Sequence, residues 1–260
     1  MTAADNVRIL IEAWKLMAGR FPTAKIQQSN GVATMFSHLP LPFLNISTPE
    51  RPLQSAEDLR GALQVAGTRA QDCKHASMLA LCEAWMPEDW EKVAADEGFH
   101  LELNMTGMAA DDLLPPRRGQ PLLEFRRVTN DATARDLAMV NAHAYGMPTE
   151  LFECISNMYL WHDDTFGYVG YSDGRAVTTA AVLPVAGTMY VALVATMPDA
   201  HGKGCAEAVM RHAIAAGRPS MGRARLTLHA SDAGRPLYQS MGFAAGAKLA
   251  LLGRDANRHV

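Results

Sequence analysis

The chain has 260 residues, of which 48% are hydrophobic and 20% charged, the balance of a globular protein with ample material for a core. A formal net charge of −3, with no Lys/Arg run, leaves no electrostatic footprint for nucleic acid or a membrane surface. No stretch approaches the roughly 20 apolar residues of a bilayer span, the opening MTAADNVRIL lacks the pattern of a secretory signal, and the four scattered cysteines form no CxxC pair, so a reducing cytoplasm is the expected location.

Val7, Leu10, Ile11, Trp14 and Met17 fall on one side of a helix expected over Ala4–Ala18. Strands are expected at Gly31–Ser37, Phe43–Ile46 and Ser77–Cys82, and helices over Ser55–Arg69 and Pro87–Glu97. Gly98-Phe99 then leads into the strand-like HLELNMTGM. In Leu113–Pro121, three prolines, a glycine and the pair Arg117-Arg118 suit a semi-rigid linker. The expected domains are therefore 1–114 and 122–260, joined by 115–121.

Leu122–Val128 reads as a strand, followed by helices over Ala132–Ala144 and about Pro148–Tyr159. Thr165–Tyr171 and Ala176–Leu183 flank a Ser-Asp-Gly turn, a hairpin signal. Thr188–Thr196, TMYVALVAT, is almost uninterruptedly apolar, as for a central strand covered on both faces. Ala206, Val209, Met210, Ala213 and Ile214 make one helical stripe, with Gly217 as its expected stop. In RARLTLHAS, Ala224, Leu226, Leu228 and Ala230 alternate with polar residues, a half-buried strand. Ser231 is placed to cap a short helix through Met241, and Gly242-Phe243 turns into a last strand near Ala247–Leu252. The order strand, short helix, Gly-Phe, strand also closes the first half, which suggests an internal repeat.

Between the apolar strand and the helix lies DAHGKGCA, Asp199–Ala206. A helix N-terminus offers unpaired N–H groups and a partial positive charge, and glycine lets backbone approach an anion. A tight turn would use the same glycines. A Walker loop requires Ser or Thr after Gly-Lys, but Lys203 is followed by Gly204, and the third glycine and distant acid of a Rossmann loop are missing too. His201-Gly202-Lys203-Gly204-Cys205-Ala206 resembles the acyl-CoA pyrophosphate loop of the GNAT acyltransferase superfamily, Arg/Gln-x-x-Gly-x-Gly/Ala, with His201 standing for Arg or Gln. LHASDAGRPLYQSMGF resembles the strand–helix–Gly-Phe segment of the same family, with Tyr238 in the place of its tyrosine.

The resemblance covers about Leu122–Leu252. It implies an α/β (α+β) fold: a mixed, mostly antiparallel splayed sheet flanked by helices, beside a smaller related N-terminal domain. It also implies acetyl-CoA (coenzyme A) as acyl-donor cosubstrate, an amine acceptor and no metal. The backbone of Val194, Ala195 and Thr196 would pair with the pantetheine arm, and His201, Gly202, Lys203, Gly204, Cys205 and Ala206 would hold the pyrophosphate. Ser231 would reach the pantetheine or the phosphates. Tyr238 would donate a proton to the departing thiolate, a role its ordinary pKa near 10 allows at neutral pH.

The base is open. Family members often carry a Glu on the central strand, but TMYVALVAT has no carboxylate; His143, Glu150, Glu153, His162 and Asp163 are the nearby candidates in sequence. Trp161-His162-Asp163-Asp164 is either a metal site or, more simply, a solvated loop. Tyr145, Met147 and Phe152 either line an acceptor pocket or pack a core. His229 is expected to face solvent or cofactor, and Cys205 to be a small loop residue. In the first half, Ala94 stands at the position of Tyr238 and no Gly-x-Gly precedes Ser55–Arg69, so no cofactor is expected there. The expected function is acetyl transfer to an amine by direct attack. The alternative is a non-catalytic acyl-CoA-binding sensor. No nucleic acid or membrane partner is expected, and a homodimer is left open.

Overall fold

The computed structural model describes residues 1–117 and 119–254. Arg118, in the expected linker, and 255–260, at the end of the expected second domain, lie outside the described residues. In chain order the first elements are α1 (Ala3–Gly19), β1 (Lys25–Ser29), β2 (Val32–Phe36), β3 (Asn45–Pro49), α2 (Ala56–Gln71), β4 (Met78–Cys82), α3 (Trp90–Asp96) and β5 (Phe99–Ala110). Then come β6 (Glu124–Arg127), α4 (Asp131–Tyr145), α5 (Thr149–Phe152), β7 (Phe166–Ser172), β8 (Arg175–Val185) and β9 (Thr188–Thr196). The chain closes with α6 (Cys205–Met221), β10 (Leu226–Ser231), α7 (Arg235–Ser240) and β11 (Ala244–Arg254). Contacts divide it into two compact units, one of Met1–Met108, His229–Arg235 and the chain from Ala245, the other of Ala109–Leu228 and Pro236–Ala244.

The first unit orders its strands β1-β2-β3-β4-β11-β5. A capping box between Thr2 and Asp5 starts α1, whose Leu10, Ala13 and Ala18 are wholly buried. Leu59 and Leu63 of α2 pack with Leu79, Leu81 and Leu252 from β4 and β11 in one core, each buried leucine contributing about 1.5–3 kcal/mol. The chain's last strand runs antiparallel to β4, with Leu249 opposite Cys82 and Leu252 opposite Leu79. β1, KIQQS, is an edge strand not anticipated from sequence; four of its five residues are exposed, so it carries no apolar alternation.

The second unit orders its strands β10-β9-β8-β7-β6. Asp173 (φ +51°) and Gly174 (φ +78°) both adopt left-handed backbone in the β7–β8 turn, the requirement of a tight hairpin. The helix expected over Pro148–Tyr159 is reduced to α5 and a 3-10 turn, Glu153–Ser156. Asn157 ends it by accepting the Tyr159 N–H at 3.0 Å, an Asx turn that competes with helix. Gly217 is not a stop: α6 runs on to Met221 and ends at Gly222, φ +64°. Gly217 is instead buried where a Cβ would come within 3.0 Å of Met189 and 3.5 Å of Phe166. Close packing, and not helix termination, selects glycine there.

Candidate active site

Two irregularities of β9 shape the candidate site. With β8 it pairs from Val185↔Thr188 to Thr178↔Thr196, but with β10 the parallel register holds at Leu226↔Met189 and Thr227↔Tyr190. β9 therefore continues six residues past the last of these pairs. The β8 register also shifts between Thr179 and Ala181, so Leu193 and Val194 fall outside it, and Leu193 takes φ +52°. This is a β-bulge, which bends the strand and re-aims its peptides. Hydroxyls hold the carbonyls around it. Thr179 Oγ1 donates to Leu193 O at 2.8 Å, and Thr178 Oγ1 to Ala195 O at 2.9 Å. The Thr178 proton being so used, the Thr196 hydroxyl donates to Thr178 Oγ1 at 2.8 Å.

The loop after β9 is pinned at both ends and open in the middle. Ala200 and Cys205 are buried together with Val177, whereas His201, Gly202 and Lys203 are exposed. The His201 Nε2 lies 2.8 Å from Thr196 O; a carbonyl only accepts, so Nε2 carries the proton. Arg175 meets Asp199 at 2.6 Å on the surface and holds its carboxyl below the usual carboxylate range, a contact worth little in stability. Gly202 (φ +73°) and Gly204 (φ +80°) are left-handed, and nothing lies within 4 Å of the position a Gly202 Cβ would take. Gly204 caps α6 without any side-chain bond to its first-turn N–H groups. Glu207, in that turn, is largely buried and neutralised by Arg211 at 2.7 Å. An open, glycine-backed helix N-terminus following a strand with a free-running end fits an elongated ligand carrying phosphates.

Tyr238, on α7, is 9% exposed and packs edge-on to Phe243 at 6.1 Å between ring centres. Burial, and then the proximity of Tyr145, push its hydroxyl well above the ordinary tyrosine range. Tyr190 of β9 is likewise buried and raised, by burial first and then by Tyr238 and Tyr145. The three tyrosines thus converge beside the last β9–β10 pair. Sequence alone did not single out Tyr190; its one signal is a phenol in an otherwise aliphatic run.

Other expected residues are scattered. Ser231, in the first unit, is exposed at the end of β10, its hydroxyl accepting the Gly234 N–H at 3.3 Å. His229, expected to face solvent or cofactor, donates from Nε2 to Asn6 Oδ1 at 2.8 Å and packs edge-on to Trp14. Burial pushes its pKa down to about 4; it sits inside the first unit because α1 covers that face of β10's end. Burial raises the Cys205 thiol, which suits packing and not nucleophilic attack. Phe152 is core at 2% exposure, while Tyr145, stacked on it, stays half-exposed. His143, Glu150, Glu153, His162 and Asp163 are all exposed. Among the described residues no group of three or more His, Cys, Asp or Glu is arranged to hold a metal ion.

Residues 146–248 match the acetyltransferase (GNAT) domain family. The chain is similar to a GCN5-related N-acetyltransferase from Kribbella flavida, at 17% identity and TM-score 0.71 over 96% of each chain. It is similar to a GCN5-related N-acetyltransferase from Sphaerobacter thermophilus, at 15% identity and TM-score 0.62, over 100% of this chain and 95% of that one. A tandem GNAT protein from the clavulanic acid biosynthesis pathway aligns over 100% of this chain and 98% of its own, at 11% identity and TM-score 0.55. No curated protein matches the chain. These likenesses give the fold: mixed α/β, mostly antiparallel, with helices flanking the strands.

Proposed function

From the GNAT acetyltransferase domain that the chain carries over residues 146–248, we propose that the protein is an acyl-CoA-dependent N-acyltransferase that moves an acetyl group from acetyl-CoA to an amine by direct attack. The observation that carries this reading is the pairing of a strand end beyond its β10 register with an open, doubly left-handed glycine loop at the start of α6. Backbone groups of Val194, Ala195 and Thr196 would bind the pantetheine arm as a neighbouring strand would. N–H groups between His201 and Ala206 would hold the pyrophosphate, with Lys203 supplying a positive charge and His201 bracing the loop through Thr196 O.

Tyr238 is assigned to the departing thiolate. Its raised pKa keeps the phenol protonated at neutral pH, so it donates a hydrogen bond to the sulfur as negative charge develops there. The proton shed by the attacking amine is the one left over, and β9 carries no carboxylate to take it. That feature favours the second reading, an acyl-CoA-binding sensor without turnover.

For the domain plan we propose 122–260 as the catalytic part, 115–121 as linker and 1–114 as a related part that binds no cofactor. Four free thiols suit a reducing compartment, and the cytoplasm is the proposed location. Thermal shift with acetyl-CoA, CoA, ATP and NAD tests ligand class, since a ligand at 100 times its Kd adds about 2.7 kcal/mol. Free-thiol release in the presence of an amine panel then separates enzyme from sensor. Stabilisation by ATP or NAD but not by CoA would sink both readings.

A further inference from the structure

The bulge in β9 is held by a relay that begins outside the loop and the strand. Asn141 of α4 is wholly buried. Its Nδ2 donates to Leu137 O at 2.9 Å and to Thr179 Oγ1 at 3.0 Å. Thr179 in turn spends its only proton on Leu193 O, the carbonyl of the left-handed bulge residue. The order of donors is fixed, because a backbone carbonyl at each end can only accept. Asn141 Oδ1 is buried and has no hydrogen-bond partner among the described residues.

An unsatisfied buried amide oxygen is a cost that an aliphatic side chain of the same size would avoid. Stability of α4 alone therefore does not account for asparagine at this position, whereas the need for a donor onto Thr179 does. The consequence lies one bond further along. The Leu193–Val194 peptide is trans, so the N–H of Val194 points opposite to the carbonyl of Leu193 in the same rigid plane. With that carbonyl drawn to Thr179, the Val194 N–H is aimed away from Thr179.

We propose that Asn141 and Thr179 are positioning residues: the side-chain relay from α4 through β8 fixes the Leu193–Val194 peptide of β9, and with it the donor that aligns the thioester carbonyl of a bound acyl-CoA. The inference rests on the acyl-CoA reading of β9. Neither side chain belongs to the loop that would hold the phosphates, so the relay acts on acyl alignment and leaves CoA affinity intact.

The test uses the full chain and acetyl-CoA labelled with ¹³C at the thioester carbonyl. Bound to the wild type, the carbonyl resonance moves downfield of free acetyl-CoA, because an N–H bond polarises it. Thr179→Val keeps the shape and removes the relay's donor; Thr179→Ser restores it. Asn141→Leu removes the first donor together with the unsatisfied oxygen, so its melting temperature holds or rises while the shift is lost. The expected pattern is loss of the downfield shift in T179V and N141L, recovery in T179S, and an unchanged Kd for CoA in all three. Should T179V and N141L both keep the full wild-type shift, the relay is overturned while acyl-CoA binding stands. Loss of CoA affinity in parallel with the shift overturns it too, since that marks a general structural role. A wild type that binds no acetyl-CoA overturns the acyl-CoA reading and the relay with it.

Discussion

At the residue scale the sharpest test is Tyr238→Phe. The substitution removes one hydroxyl from a buried ring that keeps its contact with Phe243. If the phenol supports the leaving thiolate, kcat should fall by roughly 10²-fold with KM for acetyl-CoA little changed, because the lost contact is made mainly in the transition state. Steady-state thiol release measures both, and full retention of kcat would remove Tyr238 from the chemistry. In the loop, Gly204→Ala and Gly204→Glu separate strain from charge. Both force a side chain into φ +80°, at about 1–2 kcal/mol, but the carboxylate also adds a negative charge at the proposed phosphate site. Calorimetric titration with CoA should show weakened binding for the alanine and none for the glutamate. His229 makes a different prediction. Its folded pKa, about 4, lies below the ordinary 6.5, so the unfolded chain binds a proton that the folded chain refuses between those pH values. Stability is therefore retained above pH 6.5 and lost as pH falls toward 4, by on the order of 3 kcal/mol at the limit. Urea melts at pH 7 and pH 4.5 should show this drop, and His229→Gln should flatten it.

At the element scale, α6 binds its stripe and its start into one device. Val209, Met210, Ala213 and Ile214 are buried at 2% exposure or less, which fixes the helix so that its N-terminus faces the glycine loop. The stripe was readable from spacing, but the length of the helix was not. Gly217 reads as a stop because glycine is the usual C-terminal residue; what retains it is the approach of Met189 and Phe166. Gly217→Leu is expected to destabilise by about 1–3 kcal/mol through overpacking, measured by denaturant melts, with the site at the other end of the helix unaltered. A variant as stable as the wild type would return Gly217 to the role of a simple terminator. The same logic explains β9. Its apolar run announced a central strand, yet the bulge depends on hydroxyls from β8 and an amide from α4, 14 and 52 residues away in sequence.

For the whole molecule, the decisive feature is where the last strand goes. β11 follows α7 in sequence but lies beside β4, with Leu249–Leu252 paired to Leu79–Cys82. Arg211 and Arg218 of α6 also bond Leu114 O and Asp112, both at 2.6 Å, and the Leu114 N–H meets Met241 O at 2.9 Å. A fragment beginning at Arg118 would lose these anchors and expose Leu249, Ala250, Leu251 and Leu252, all buried at 1% exposure or less. Expressed alone, 118–260 should be insoluble, and co-expression with 1–117 should recover it; light scattering and pull-down check both. A soluble, monomeric fragment that binds CoA would show that β4 is dispensable to it.

The sequence by itself determined the local elements. Periodicity marked α1, α4 and α6, and the glycines marked the loop and the β7–β8 turn, because each of these depends on residues within a few positions of one another; Tyr238 was singled out by the resemblance of the segment ending in Gly242-Phe243 to the GNAT family. Tertiary structure alone decided the bulge at Leu193, the convergence of Tyr145, Tyr190 and Tyr238, the burial of His229 against Asn6 and Trp14, and the place of β11 beside β4. Those features arise from residues far apart in the chain whose side chains carry no local signature of their partner. A strand's period says which face is apolar, but not which strand will lie next to it, and that choice is made by the packing of the whole core.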